Sequence, residues 1–125
     1  MKEFLFYIRS NFGKLTKSDN KELINKIEYL ITNGADINTK DDHGFCLLDY
    51  LYESEIIKSI IHNGGIGRIA TYNTYREYFT HEQQNTFDSF LLLTNNDNDF
   101  FQMCLAYQND QKNKIEIEIK DIDIL

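Results

Sequence analysis

His43 and Cys46 stand three residues apart, beside Asp41 and Asp42. Histidine, cysteine and carboxylate are the residue types of nucleophilic catalysis and of zinc binding. A catalytic cysteine needs a base and an orienting group within hydrogen-bond reach. Here the pair is split between a turn and a helix start, so Cys46 reads as a small core residue. Cys104 lies in an apolar run and reads the same way. A metal site needs more ligands at tight spacing, and no second Cys/His pair completes one. "NNDND" at 95–99 has a calcium-like composition but lacks the glycine and closing glutamate of an EF-hand loop, and reads as a hairpin turn. "GGIG" at 64–67 lacks the lysine of a phosphate loop and follows a helix. The expectation is no catalytic residue, no metal and no small-molecule cofactor.

Binding is then the chemistry left to consider, and charge bears on it. The chain has 125 residues and a net charge of −7. Residues 66–125 hold ten acids against five bases. Such a surface repels phosphate backbones and suits a basic protein partner, not nucleic acid. A hydrophobic content of 42% argues against disorder and for one folded domain over 1–125. Two cysteines make no disulfide framework. The apolar run in "MKEFLFYIRS" is too short for a signal-peptide core, and no run approaches the length of a membrane span. A cytoplasmic location without membrane contact is the expectation.

The elements that must position any binding surface follow from periodicity. Phe4, Leu5, Ile8 and Phe12 form a one-sided helical stripe. Ser18 or Asp19 caps a second helix carrying Leu23, Ile24, Ile27, Leu30 and Ile31, which ends at Asn33-Gly34. "FCLLDYLY" and "SEIIKSIIHNGG" read as two shorter helices. "IEYLITNGA" at 27–35 repeats as "IKSIIHNGG" at 57–65, an offset of 30 residues. A helix pair with a turn-rich link at that period is a solenoid signature.

Residues 26–65 resemble the ankyrin repeat over about two units. In "NGADINTKDDHGFCLLDYL", Gly34, Ala35, Asp36, Asn38, Asp41, Gly44 and Leu48 fall on consensus positions. Cys46, Leu47 and Asp49 depart from it, standing where Thr, Pro and His are usual. The resemblance implies a projecting finger that binds protein. Its positions here are Asp36, Asn38, Lys40, Asp41, Asp42 and His43, followed by Asp49, Tyr50, Tyr52 and Glu53 along or just after the short helix.

The rest of the chain reads differently. A short helix is expected around Thr74–Phe79. "TFDSFLLLT", "DFFQMCLAYQ" and "KIEIEIKDIDIL" follow, separated by Asn/Asp-rich clusters. The strict alternation of Ile115, Ile117 and Ile119 is a strand signal, and the acids Glu116, Glu118, Asp121 and Asp123 would line one side. The three segments read as an antiparallel β-meander. A competing reading makes 97–107 a helix with Phe100, Phe101, Cys104 and Leu105 on one face. The expected fold class is therefore α+β: ankyrin-like helix pairs over 1–70, then a β-rich extension over 71–125.

The function these features suggest is a non-enzymatic module that binds and sterically inhibits a basic partner, such as an immunity protein or antitoxin facing a toxin. A viral or bacterial host-interaction factor of ankyrin type is an alternative. A small enzyme with an acidic site in the C-terminal half is another, and would need a raised carboxylate in a pocket near His81.

Overall fold

Among the described residues, six α-helices in chain order carry the fold. They are α1 (Lys2–Ser10), α2 (Asn20–Thr32), α3 (Ser54–His62), α4 (Ile69–Tyr75), α5 (His81–Leu91) and α6 (Asp97–Ile124). Short 3-10 turns occupy Leu47–Asp49 and Arg76–Tyr78. The computed structural model describes residues 1–11 and 19–124, with side chains described as far as 117. The expected positions of Phe12 and Ser18 lie outside the described residues.

The first half follows its hydrophobic spacing. Phe4, Leu5 and Ile8 of α1 are buried on one face. Leu23 and Ile27 of α2 meet the four isoleucines of α3, Ile56, Ile57, Ile60 and Ile61. The two helices α2 and α3 pack together.

The 30-residue repeat is visible atom by atom. Asn33 Nδ2 donates to the Tyr29 carbonyl at 2.7 Å, and Asn63 Nδ2 to the Ser59 carbonyl at 2.8 Å. Gly34 N–H reaches Ile31 O and Gly64 N–H reaches Ile61 O, both at 3.0 Å. Ala35 N–H reaches Leu30 O at 2.9 Å, and Gly65 N–H reaches Ile60 O at 2.8 Å. This is the paired-bond stop that a left-handed residue after a helix makes possible. Gly34 and Gly64 both have φ of +89°, which only glycine adopts without cost.

The second half departs from the expected meander. Among the described residues there are helices and no strands, so the fold is all-α rather than α+β. "TFDSFLLLT" lies largely in α5 and runs past its end at Leu91, and the other two segments lie in α6 as far as Ile124. The start of α5 is fixed by a reciprocal cap. Thr80 Oγ1 accepts the Gln83 N–H at 3.1 Å, and Gln83 Oε1 accepts the Thr80 N–H at 2.9 Å. "NNDND" is a helix entry rather than a hairpin turn, because Asn96 Oδ1 accepts the Asp99 N–H at 2.9 Å. Phe100, Phe101 and Cys104 are buried on one side of α6, as the competing helical reading required. "NDQKN" has no glycine or proline to stop the helix, and α6 runs through it for 28 residues, about 42 Å.

The isoleucine alternation misleads for a physical reason. Alternation marks a strand only when one face is buried. Ile115 and Ile117 are both exposed, at 56% and 60%. The proposed acidic strand face does not form, and the side chains of Glu118, Asp121 and Asp123 lie outside the described residues.

Aromatic rings hold the second half together. Tyr72 of α4 lies 5.3 Å from Phe79, 5.7 Å from Phe87 and 5.5 Å from Phe100, centroid to centroid. The Tyr72 hydroxyl leaves this cluster to donate to Asp88 at 2.7 Å, where the Arg76 guanidinium also binds. The halves are joined by polar contacts, among them Gln108 Nε2 on the Gly64 carbonyl at 3.0 Å and the Tyr75 hydroxyl on the Leu51 carbonyl at 3.3 Å.

Candidate functional site: a loop braced by carboxylates

The loop after α2 is organised from within by two aspartates. Asp36 Oδ1 accepts the Asn38 N–H at 2.9 Å, and the Asp36 carbonyl accepts the Thr39 hydroxyl at 2.7 Å. Asp41 Oδ1 accepts the N–H of His43 at 2.9 Å and of Phe45 at 3.0 Å. Its Oδ2 accepts the Tyr50 hydroxyl and faces the Arg9 guanidinium of α1 at 3.8 Å. Asp41 N–H closes the loop on the Phe45 carbonyl at 2.9 Å, and Gly44 turns the chain with φ of +80°. Side chains of Asp type favour such local bonds over regular structure.

This geometry shifts two titrations. Burial raises the Asp41 carboxyl, but the donors Tyr50, Phe45 and His43 outweigh it and hold the group below its ordinary 3.8. Burial and the bond to Asp41 push the Tyr50 hydroxyl up to about 12. A carboxylate with a depressed folded-state value adds stability that is complete above the unfolded-state value and lost as pH falls through the folded one. The difference in urea midpoint between the protein and Asp41→Asn should be constant from pH 7 to about 5 and shrink below about pH 4. A difference unchanged down to pH 2 would contradict the brace.

Asn38 and Asp49 point inward rather than to solvent. Asn38 is 9% exposed. Its carboxamide donates to the Gly64 carbonyl at 2.9 Å and accepts the Ile66 N–H at 2.7 Å, stapling one turn of the repeat to the next. The Asp49 side chain is 1% exposed. It accepts the N–H of Cys46 and of Arg68 at 2.9 Å and the Thr71 hydroxyl at 2.7 Å. Gly67 lies so close that an added methyl would sit 2.7 Å from Asp49 Oδ1.

The ten sequence-predicted positions thus divide. Asp36, Asp42 and His43 are exposed on the loop, with Asp42 and His43 between the braced ends. Tyr52 is 62% exposed, and Glu53 is half-buried at the residue before α3. Tyr50 stacks at a tilt on Phe45, ring centres 5.7 Å apart. Lys40 leans from the loop to α6, donating to Asn98 Oδ1 at 2.9 Å over the Phe101 ring. Asn38, Asp41 and Asp49 are drawn into the fold. Sequence reasoning missed Arg9, Phe45, Arg68, Asn98 and Phe101, which contact these residues. Only the third dimension brings them there, and no local spacing marks them.

Burial pushes both Cys46 and Cys104 thiols up to about 12, with Asp49 adding to the effect at Cys46, so neither is a ready thiolate. His81 is exposed at the start of α5, and the carboxyls of Asp41 and Asp88 both move down. At Asp88 the Arg76 guanidinium is the main cause. Among the described residues no three His, Cys, Asp or Glu side chains gather to hold a metal ion. No described helix is long and apolar enough to cross a membrane. Comparison with protein-family models, curated proteins and solved structures finds no match.

Proposed function

We propose that this chain is a non-enzymatic protein-interaction module, built on ankyrin-type units, that binds a basic partner protein and acts by covering it. A toxin masked by its immunity protein or antitoxin is one such pairing. The braced loop is the observation that carries the reading. Asp41, Tyr50 and Arg9 fix its ends, while Asp42 and His43 remain exposed. A loop already ordered before contact loses less conformational freedom on binding. The repeated helix stops, and the Asn38 and Asp49 bonds that link one unit to the next, support the ankyrin-type assignment. Tyr52 supplies an exposed aromatic of the kind that anchors interfaces, and the net charge of −7 steers a cationic protein.

Affinity capture from the native host's lysate tests this. The expected result is retention of one basic protein at low salt and its progressive loss as salt rises, since exposed charge pairs are screened. No retained protein at either salt would move the reading to small-ligand or enzymatic function.

A further inference from the structure

A cleft of about 340 Å³ lies between the braced loop, residues 67–68 and the first turns of α6. Two cations line it, each flattened on a ring. Lys40 Nζ sits 4.0 Å from the centre of Phe101, and the Arg68 guanidinium carbon 4.1 Å from the centre of Phe45. His43 stands on the same wall.

The donors there are under-used. Arg68 Nε is sealed from solvent and has no hydrogen-bond acceptor. Its nearest carboxylate oxygen, Asp49 Oδ1, is 3.6 Å away and already accepts the Arg68 N–H and the Thr71 hydroxyl. The guanidinium makes no hydrogen bond to any described side chain, although its fork is shaped for a carboxylate. Lys40 spends one of its three donors on Asn98. The Arg68 side chain as a whole is 35% exposed, so its terminal Nη donors are the ones open to a ligand acceptor, with Nε–H beside them as a reporter.

We propose that this cleft is a binding site for a single carboxylate group, received by Arg68 and Lys40 between the Phe45 and Phe101 rings. Charge selects the ligand class. Asp49 and Asp97 also face the cleft and balance the two cations, which disfavours a doubly charged phosphate and suits a singly charged acid. Asp97 has one oxygen occupied by the Ile69 N–H at 3.0 Å. The volume is near the lower end of ligand pockets, roughly 300–1,000 Å³, so a small acid or one acidic side chain fits and a large cofactor does not. The cleft shares His43 with the loop proposed above to meet a partner, but the carboxylate site does not rest on that reading.

The Arg68 Nε–H resonance is the reporter, followed by proton–nitrogen NMR while sodium acetate is added against sodium chloride at matched ionic strength. The expected result is a saturable shift in acetate and none that saturates in chloride. Lys40→Met, which keeps an apolar stem on Phe101, should weaken the acetate midpoint about tenfold, the scale of one charge-assisted hydrogen bond. Equal, non-saturating drift in both salts overturns the proposal, as does a Lys40→Met titration like that of the parent. Inorganic phosphate binding more tightly than acetate overturns the carboxylate assignment.

Discussion

Asp49→Ala should lose about 3–5 kcal/mol of stability, a large part of the roughly 5–15 kcal/mol that a domain possesses. The carboxylate is enclosed and serves three donors on two sides of a joint. Cys46 N–H lies on its own turn, whereas Arg68 N–H and the Thr71 hydroxyl belong to the next unit. Alanine leaves all three without an acceptor and removes the charge facing Arg68. Asp49→Asn keeps one acceptor oxygen and the side-chain shape, so it should cost visibly less. Urea unfolding of the two variants measures both. A loss below about 1 kcal/mol for Asp49→Ala would place the side chain at an exposed, unimportant position, as the surface reading of the sequence had it.

Phe87→Ala should cost a similar amount, about 3–5 kcal/mol, through lost burial and the cavity left behind. Phe87 is 1% exposed. Its ring meets Tyr72, Phe79, Phe90, Phe100 and Tyr107 at centroid distances of 5.6–6.4 Å. It therefore joins α4, α5 and α6 at one point. Because α6 has no other described helix pair as extensive as its contact with α5, loss of Phe87 should also loosen α6. Hydrogen exchange at Phe100–Cys104 would then quicken more than at Ile57–Ile61. Equal changes in the two segments would argue against a separate aromatic centre.

The helical first half was legible because its signals are local. The Asn-Gly stops at 33–34 and 63–64 and the isoleucine spacing each predict a helix and its end without knowledge of neighbours. The second half carried equally local signals that were outweighed. "THEQ" at 80–83 is a capping box, and the Phe100, Phe101, Cys104 stripe is helical. The alternating isoleucines near the end are more conspicuous, yet what they mean depends on whether a face is buried, and burial is a tertiary property. The ten candidate positions show the same limit. Asp42 and Asp49 are identical as residues. One is exposed and the other enclosed only because residues 67–71 fold over the second.

The braced loop is the surface proposed to meet a partner. The direct measurement is lysate capture by the double charge reversal Asp42→Lys/Glu53→Lys beside the parent protein, with urea unfolding confirming that both are folded. Among the described residues neither carboxylate makes a bond that holds the loop, so the fold should survive. The prediction is that the basic protein retained by the parent is lost from the variant even at low salt. Undiminished retention by the folded variant would contradict the account and move the binding surface elsewhere.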